Sequence, residues 1–298
     1  MRWLTNQGYV LMALTALMWS GNAIIGRAVH EFVPPFGLAF WRWAVTLPVV
    51  MAIAWPYLRR DLPALLAGWR WMLFLAGLGI AVYNCVIYFG LDHTTAINMV
   101  LINSARPAMI VLLSYLFFRV RVGGWQAIGL VLGFLGTAVV LFHGELARVA
   151  TLELNVGDLL IFVATVTWAL YTVFLPKRPP IHGASFMAYS VLIGVILILP
   201  FYLWETVTVE AVPFVAETVW AVLFLALGAS VVGHMGYNRI VELLGPNIAG
   251  ATSYLVMAFG VVIAIVALGE AFHLYHAAGL ALLLGGTYLA TRKEAHPR

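Results

Sequence analysis

Charge is what this chain has least of. Only 9% of its 298 residues are Asp, Glu, Lys or Arg, against about 25% in a soluble domain, while 63% are hydrophobic. A water-facing surface is therefore excluded: this is an integral membrane protein, with the lipid bilayer as its first partner. Short alternating segments are missing too, which sets aside a β-barrel; the apolar runs are continuous and read as helices. The single cysteine, Cys85, rules out an intrachain disulfide. The eight histidines are scattered, so no metal-ligand spacing exists and no cofactor is implied. No small-residue cleavage site follows the first run, where Trp19, Asn22 and Arg27 stand, so it is read as an uncleaved span. The net charge of +4 is not a nucleic-acid footprint, because its distribution carries a topology signal instead.

Ten apolar runs are present, at 8–29, 36–55, 70–91, 95–118, 124–143, 157–176, 183–204, 217–239, 247–268 and 274–291. The connections are short and rich in Pro, Gly and charge (Pro34-Pro35, Arg59-Arg60-Asp61, Gly123-Gly124, Lys177 to Pro180, Gly245-Pro246), leaving no room for a soluble domain. Ten spans put both termini on one side. That side collects twelve of the sixteen basic residues: Arg2, Arg59, Arg60, Arg70, Arg119, Arg121, Lys177, Arg178, Arg239, Arg292, Lys293 and Arg298. Arg27 and Arg148 lie opposite, with Arg42 and Arg106 inside spans. The positive-inside rule makes the termini cytoplasmic. The loop with Glu205, Glu210 and Glu217 is expected outside.

The chain also repeats itself. A shift of 149 residues brings Trp19 onto Trp168, Leu78-Gly79 onto Leu227-Gly228, Tyr88 onto Tyr237, Asn98 onto Asn247 and Ser104 onto Ser253. After a one-residue slip, WQAIGLVLGFLGT (125–137) lies over YHAAGLALLLGGT (275–287). Each half has five spans, an odd number, so the second must be inverted. The expected fold is all-α, with ten transmembrane helices as two inverted five-helix repeats around a central cavity. The halves are 1–143 and 157–298, joined by an external linker at 144–156. Inverted repeats recur in secondary transporters, with the site near the midplane between halves and alternating access by rocking.

Function is sought where polarity interrupts the apolar runs. NMVLINSARP (98–107) places Arg106 near the middle of a span, followed by Pro107. An arginine at that depth needs polar neighbours or a watery cavity and is a functional candidate by default; the proline should kink the helix beside it. Candidate substrate-binding residues are Trp19, Asn22, Arg42, Tyr83, Tyr88, Asn103, Arg106, Trp168, Tyr171, His234, Tyr237 and Tyr254. Asn84, Asn238 and Ser253 are further polar handles within spans. Arg42, about two turns from the outer edge, has snorkelling as its alternative. Trp3, Trp55, Trp69, Trp71, Trp125, Trp204 and Trp220 sit near span ends, where aromatic belts belong. Trp19 and Trp168 are at mid-depth and related by the repeat; they either pack the core or form two opposed walls for a planar substrate.

Both embedded charges are positive, and no acid falls near mid-span: Asp92, Asp158, Glu242 and Glu270 stand at ends or loops. A carboxylate would satisfy a guanidinium in such a site, and an ammonium could meet freed carbonyls, tyrosine hydroxyls or an aromatic face. The substrate is thus a small molecule of amino-acid type. A proton relay would need His234, whose alternative is packing; exchange or uniport is simpler. Spans five and ten, with Gly129, Gly133, Gly279, Gly285 and Gly286, read as scaffold.

On these residues the whole chain resembles the EamA-type drug/metabolite transporter superfamily. ALTALMWSGNAIIGRAV (13–29), PFGLAFWRWAVTLP (35–48), INSARPAMIVLLSYLFF (102–118) and VALGEAFHLYHAAGLALLLGGTYL (266–289) carry the likeness. The first half departs from it, with Val120-Arg121 where Gly269-Glu270 would be mirrored. The resemblance implies a transporter rather than an enzyme, and its aromatic-rich spans look most like YddG-type bacterial exporters of aromatic amino acids. It implies a multi-pass bacterial inner membrane protein, with helices five and ten bracing the cavity from outside. Export of hydrophobic or cationic drugs is the alternative within transport, disfavoured by two embedded arginines. A membrane-embedded enzyme would need a His/Asp/Ser or metal constellation that is not evident. A receptor or structural bundle would not require an inverted repeat.

Overall fold

A computed structural model describes residues 7–29, 32–91, 93–145, 155–267 and 271–292. Arg2, Trp3, Asp92, Arg148, Gly269, Glu270, Lys293 and Arg298, with the side chain of Arg27 and most of the 144–156 linker, lie outside the described residues. Among the described residues ten helices are long and apolar enough to cross a membrane. They are α1 (Gly8–Val29), α2 (Pro35–Ala67), α3 (Trp69–Leu91), α4 (Ala96–Ser104 and Arg106–Phe118), α5 (Gly124–Leu141), α6 (Val156–Phe174), α7 (Gly183–Thr208), α8 (Ala216–Leu244), α9 (Pro246–Gly250 and Thr252–Ala267) and α10 (Leu274–Thr291). Large apolar side chains point outward, as lipid demands: Leu274, Val207, Val266, Trp55 and Trp220 are all exposed.

The second span is longer than its apolar run. α2 continues through Arg59-Arg60-Asp61 to Ala67, with Pro48, Pro56 and Pro63 inside it. All three prolines lie on its exposed side, away from the packed face. The extension has a purpose at its far end, because Asp61 is buried and accepts the backbone N–H of His182 at 2.9 Å, where α7 begins. The reciprocal contact takes Glu205 out of the loop expected on the outer side and into a helix. α7 runs on to Thr208, and Glu205 is buried, accepting from Phe36 N at 3.1 Å and Gly37 N at 2.6 Å in the first turn of α2. Each helix thus offers a carboxylate to the orphan donors and positive dipole end of the other, which requires α2 and α7 to be antiparallel.

α5 and α10 are antiparallel for the same reason of contact order. A Cβ on Gly129, early in α5, would strike Gly286 and Ala290, late in α10; one on Gly136 would meet Leu283 N at 2.8 Å and Gly279 O at 3.0 Å, earlier in α10. The backbones touch along this seam, as small residues permit. Gly285 is the exception and does not supply close approach, since nothing lies within 4 Å of its Cβ position. Helices that correspond in the two halves therefore run in opposite directions, which is the inversion expected from five spans per half. The halves also interlock: α1 packs on α8 and α9, and α6 on α3 and α4.

Backbone irregularities gather at that interlock. α4 breaks at Ala105, where Pro107 brings no N–H to bond the Asn103 carbonyl. α9 breaks at Ala251, and a Cβ on Gly250 would lie 3.3 Å from Pro107 Cα, so the two breaks cross. α3 and α8 each contain a π-helical stretch, Gly77–Val82 and Leu225–His234, at positions the repeat superposes. Such stretches leave carbonyls free and favour functional sites; nothing in the hydropathy pattern announces them. Gly129→Leu is expected to lower the melting temperature of the detergent-solubilised protein, at a cost of about 2 kcal/mol for overpacking; an unchanged melting temperature would mean that α5 and α10 are not pressed together.

Candidate functional site

A cavity of about 640 Å³ lies between the halves, within the range of small-molecule sites. Much of its lining comes from the half of a helix farther from the termini, Trp19 to Gly26 of α1, Tyr83 to Leu91 of α3 and Met99 to Arg106 of α4, with Ser253 to Gly260 from the middle of α9. It reaches Thr94, at the end of the bundle opposite the termini. Nearby, α6 is anchored by Asp158, which is buried and accepts from Thr94 Oγ1, Asn98 Nδ2 (2.9 Å) and Asn155 N (2.9 Å).

Arg106 stands at the α4 break. It is 9% exposed, and its Nη2 donates to Tyr83 OH at 3.0 Å and Asn103 Oδ1 at 2.5 Å. Its guanidinium carbon lies over the rings of Tyr83 and Trp168, 5.5 and 5.7 Å from their centroids. Its Nε is buried with no hydrogen-bond partner. Arg42 is 6% exposed and turns inward, so it does not snorkel. Its Nε donates to Ser230 Oγ at 2.7 Å, and Nη1 to Tyr88 OH at 3.0 Å, Asn22 Oδ1 at 3.2 Å and Asn84 Oδ1 at 3.3 Å. Three helices, α1, α3 and α8, thus converge on one guanidinium of α2, which also lies 5.1 Å from the Trp43 ring centroid.

Trp19 and Trp168 meet each other, centroids 5.3 Å apart and nearly perpendicular. They form one continuous aromatic wall rather than two opposed ones, extended by Tyr83 against Trp168 at 4.8 Å. Trp19 Nε1 donates to Ala229 O at 3.1 Å, a carbonyl of the α8 π-helical stretch.

Of the twelve residues singled out from the sequence, Trp19, Asn22, Arg42, Tyr83, Tyr88, Asn103, Arg106, Trp168 and His234 line this cavity. Tyr171, Tyr237 and Tyr254 do not. Tyr254 is 1% exposed and packs on Gly133, its hydroxyl donating to Leu130 O at 2.9 Å; it belongs to the α5 contact. Tyr171 and Tyr237 sit deeper toward the terminus side. The Tyr171 hydroxyl donates to Asn238 Oδ1 at 2.6 Å and lies 3.0 Å from His234 Nε2, while Tyr237 OH and Thr172 Oγ1 are 2.9 Å apart. Beyond them is a smaller recess of about 410 Å³ with Val173, Lys177 and Leu244 in its wall. The tyrosines therefore form part of a packed layer between two hollows.

Residues 6–142 and 155–292 each match the model of the EamA-like transporter family. The chain belongs to that family. It is similar, at 29% identity over 295 residues, to an uncharacterized transporter of Archaeoglobus fulgidus, with 98% of this chain and 99% of that protein covered. A protein of Streptantibioticus cattleyicolor described as a "probable terminal-alkyne amino-acid exporter" is 27% identical over 290 residues, covering 95% of this chain and 92% of its own length. A solved crystal structure has the same fold, with a TM-score of 0.72 at 22% identity, covering 94% of this chain and 95% of the other.

Within this EamA-like fold, sequence reasoning passed over Trp43 and Thr137, both in the cavity wall, and the buried Ser230, which accepts from Arg42. Trp43 directly follows Arg42, a dipeptide signal that could have been read. Ser230 faces Arg42 from a π-helical stretch, so its face follows no 3.6-residue period. Thr137 shows that α5 contributes to the lining as well as to the scaffold. Tyr254→Phe is expected to lower stability by about 1 kcal/mol, the worth of one neutral hydrogen bond, without altering substrate affinity. Denaturant melts and transport assays check both, and a shift of tenfold or more in affinity would return Tyr254 to the site.

Proposed function

We propose that this EamA-like protein is a secondary transporter exporting small carboxylate-bearing metabolites, neutral and aromatic amino acids among them. The observation that carries this reading is the Arg106 guanidinium, held at mid-depth by neutral acceptors and two aromatic faces. Among the described residues neither it nor Arg42 has a carboxylate partner. A carboxylate supplied by the substrate satisfies a buried guanidinium with charge-assisted, fork-shaped bonding, and the Trp19–Trp168–Tyr83 wall suits a planar or apolar side chain. Exporters of the YddG type are the nearest analogy for aromatic substrates, and the amino-acid exporter relative supports the same class. Cationic drugs are a poorer fit, since among the described residues no acidic side chain lines the cavity. With the termini cytoplasmic, as the basic residues argue, the cavity faces the exterior of a plasma membrane.

The packed layer supports a reading by alternating access. Tyr171–Asn238 and Tyr237–Thr172 join α6 to α8 on the terminus side and act as the inner seal; their repeat mates, Asn22 and Tyr88, line the open cavity. Exchanging the arrangement of the halves would open the inner recess and close the outer one.

Two measurements bear on this reading. In proteoliposomes, Arg106→Gln is expected to reduce counterflow of labelled phenylalanine and alanine at least a hundredfold, the cost of removing one member of a buried charged pair, with elution and helicity unchanged. Undiminished flux would take Arg106 out of the site. In a Cys85→Ser background carrying Val173→Cys, the Tyr171→Phe/Tyr237→Phe pair is expected to raise thiol labelling from the terminus side several-fold. Unaltered labelling would mean that these hydroxyls do not hold the seal.

A further inference from the structure

The two buried arginines belong to one cavity, and together they specify more than one carboxylate. Every hydrogen bond that Arg42 and Arg106 make among the described residues ends on a neutral acceptor: Ser230, Asn22, Asn84 and Tyr88 for the first, Tyr83 and Asn103 for the second. Such acceptors solvate a cation without cancelling its charge. The buried carboxylates Asp61, Asp158 and Glu205 are occupied at the starts of α7, α6 and α2. The wall therefore carries two positive charges and no described negative one. In surroundings of low dielectric, like charges repel strongly over several ångströms. A zwitterionic neutral amino acid changes that balance little, because it brings an ammonium with its carboxylate.

We propose that the cavity is a two-anion site, with one acidic group of the substrate at each guanidinium. The preferred substrates are then dicarboxylates or acidic amino acids. This rests on reading Arg106 as a carboxylate anchor and adds Arg42 as the second. Placement supports it. One helix, α3, receives both guanidiniums, at the hydroxyls of Tyr83 and Tyr88, and both arginines line the same cavity. The buried Nε of Arg106, which has no partner, is a donor still waiting for an oxygen. Arg42 and Arg106 both lie in the first half, and their repeat mates are Val191 and Leu255, so no second pair competes for the anions.

The test uses the full-length chain in proteoliposomes, with counterflow and competition by succinate, glutarate, adipate, glutamate, phenylalanine and alanine. The expected result is that the dianions compete at least tenfold better than phenylalanine or alanine, with an optimum at one chain length. Arg42→Gln is expected to bring the ratio of dianion to neutral amino-acid affinity close to one, while Arg42→Lys keeps most of it. If neutral amino acids compete as well as the dianions in the unmodified protein, the two-anion site is overturned and the single-carboxylate reading stands. If no carboxylate competes, both are overturned. Should Arg42→Gln fail to fold, the chain-length series and Arg42→Lys still decide: a flat series, or a lysine variant without dianion preference, rejects the proposal.

Discussion

Inside a membrane a backbone group without a partner has no water to turn to, and the architecture follows from where this chain breaks its own helices. The two breaks and two π-helical stretches of α3, α4, α8 and α9 all face the seam between halves, where protein rather than lipid meets the freed groups. Thr46 Oγ1 donates to Ala226 O at 3.3 Å and Trp19 Nε1 to Ala229 O, so α1 and α2 re-satisfy the widened turns of α8. Gly79 and Gly233 let Tyr171 and Trp19 approach those turns closely. The irregular backbone keeps the helices from closing tightly, and the cavity is the space that results.

The two halves share a plan and use it differently. At mid-depth Trp19 and Trp168 are equivalent and touch. One turn on, Asn22 is in the cavity wall and bonded to Arg42, whereas Tyr171 is 1% exposed and bonded to Asn238. Tyr88 and Tyr237 divide in the same way. Under the alternating access proposed above, symmetric positions with asymmetric contacts are what one of two states would show. The charge breaks the symmetry outright, since both buried arginines come from one half. On the proposed mechanism, transport would exchange the seal without moving the cations to a new set of helices.

Much of this was legible in the residue order. Ten spans, the repeat, the inversion and the break beside Pro107 follow from run length, an odd number of spans per half and a missing backbone donor. Arg42, Arg106, Trp19 and Trp168 stood out because polar or bulky side chains at mid-depth are costly. The end of α2 did not stand out, since charged Arg60 and Asp61 look like a loop until His182 supplies a reason for the helix to reach it. Glu205 was placed in a loop for the same reason: a carboxylate just past an apolar run looks like a connection unless the N-terminus it caps is known.

Composition alone decided that this chain lives in lipid, because so few charges cannot cover a water-facing surface. Order alone decided that its halves oppose each other, because five crossings reverse direction. Which side chains share the cavity was decided only by the tertiary fold. Tyr88 and Tyr237 are the same residue at matching positions, and the helix facing each determines whether its hydroxyl meets an arginine at the cavity wall or a threonine inside a packed layer. Contacts of that kind depend on the helix across the seam, which no local pattern in either helix encodes.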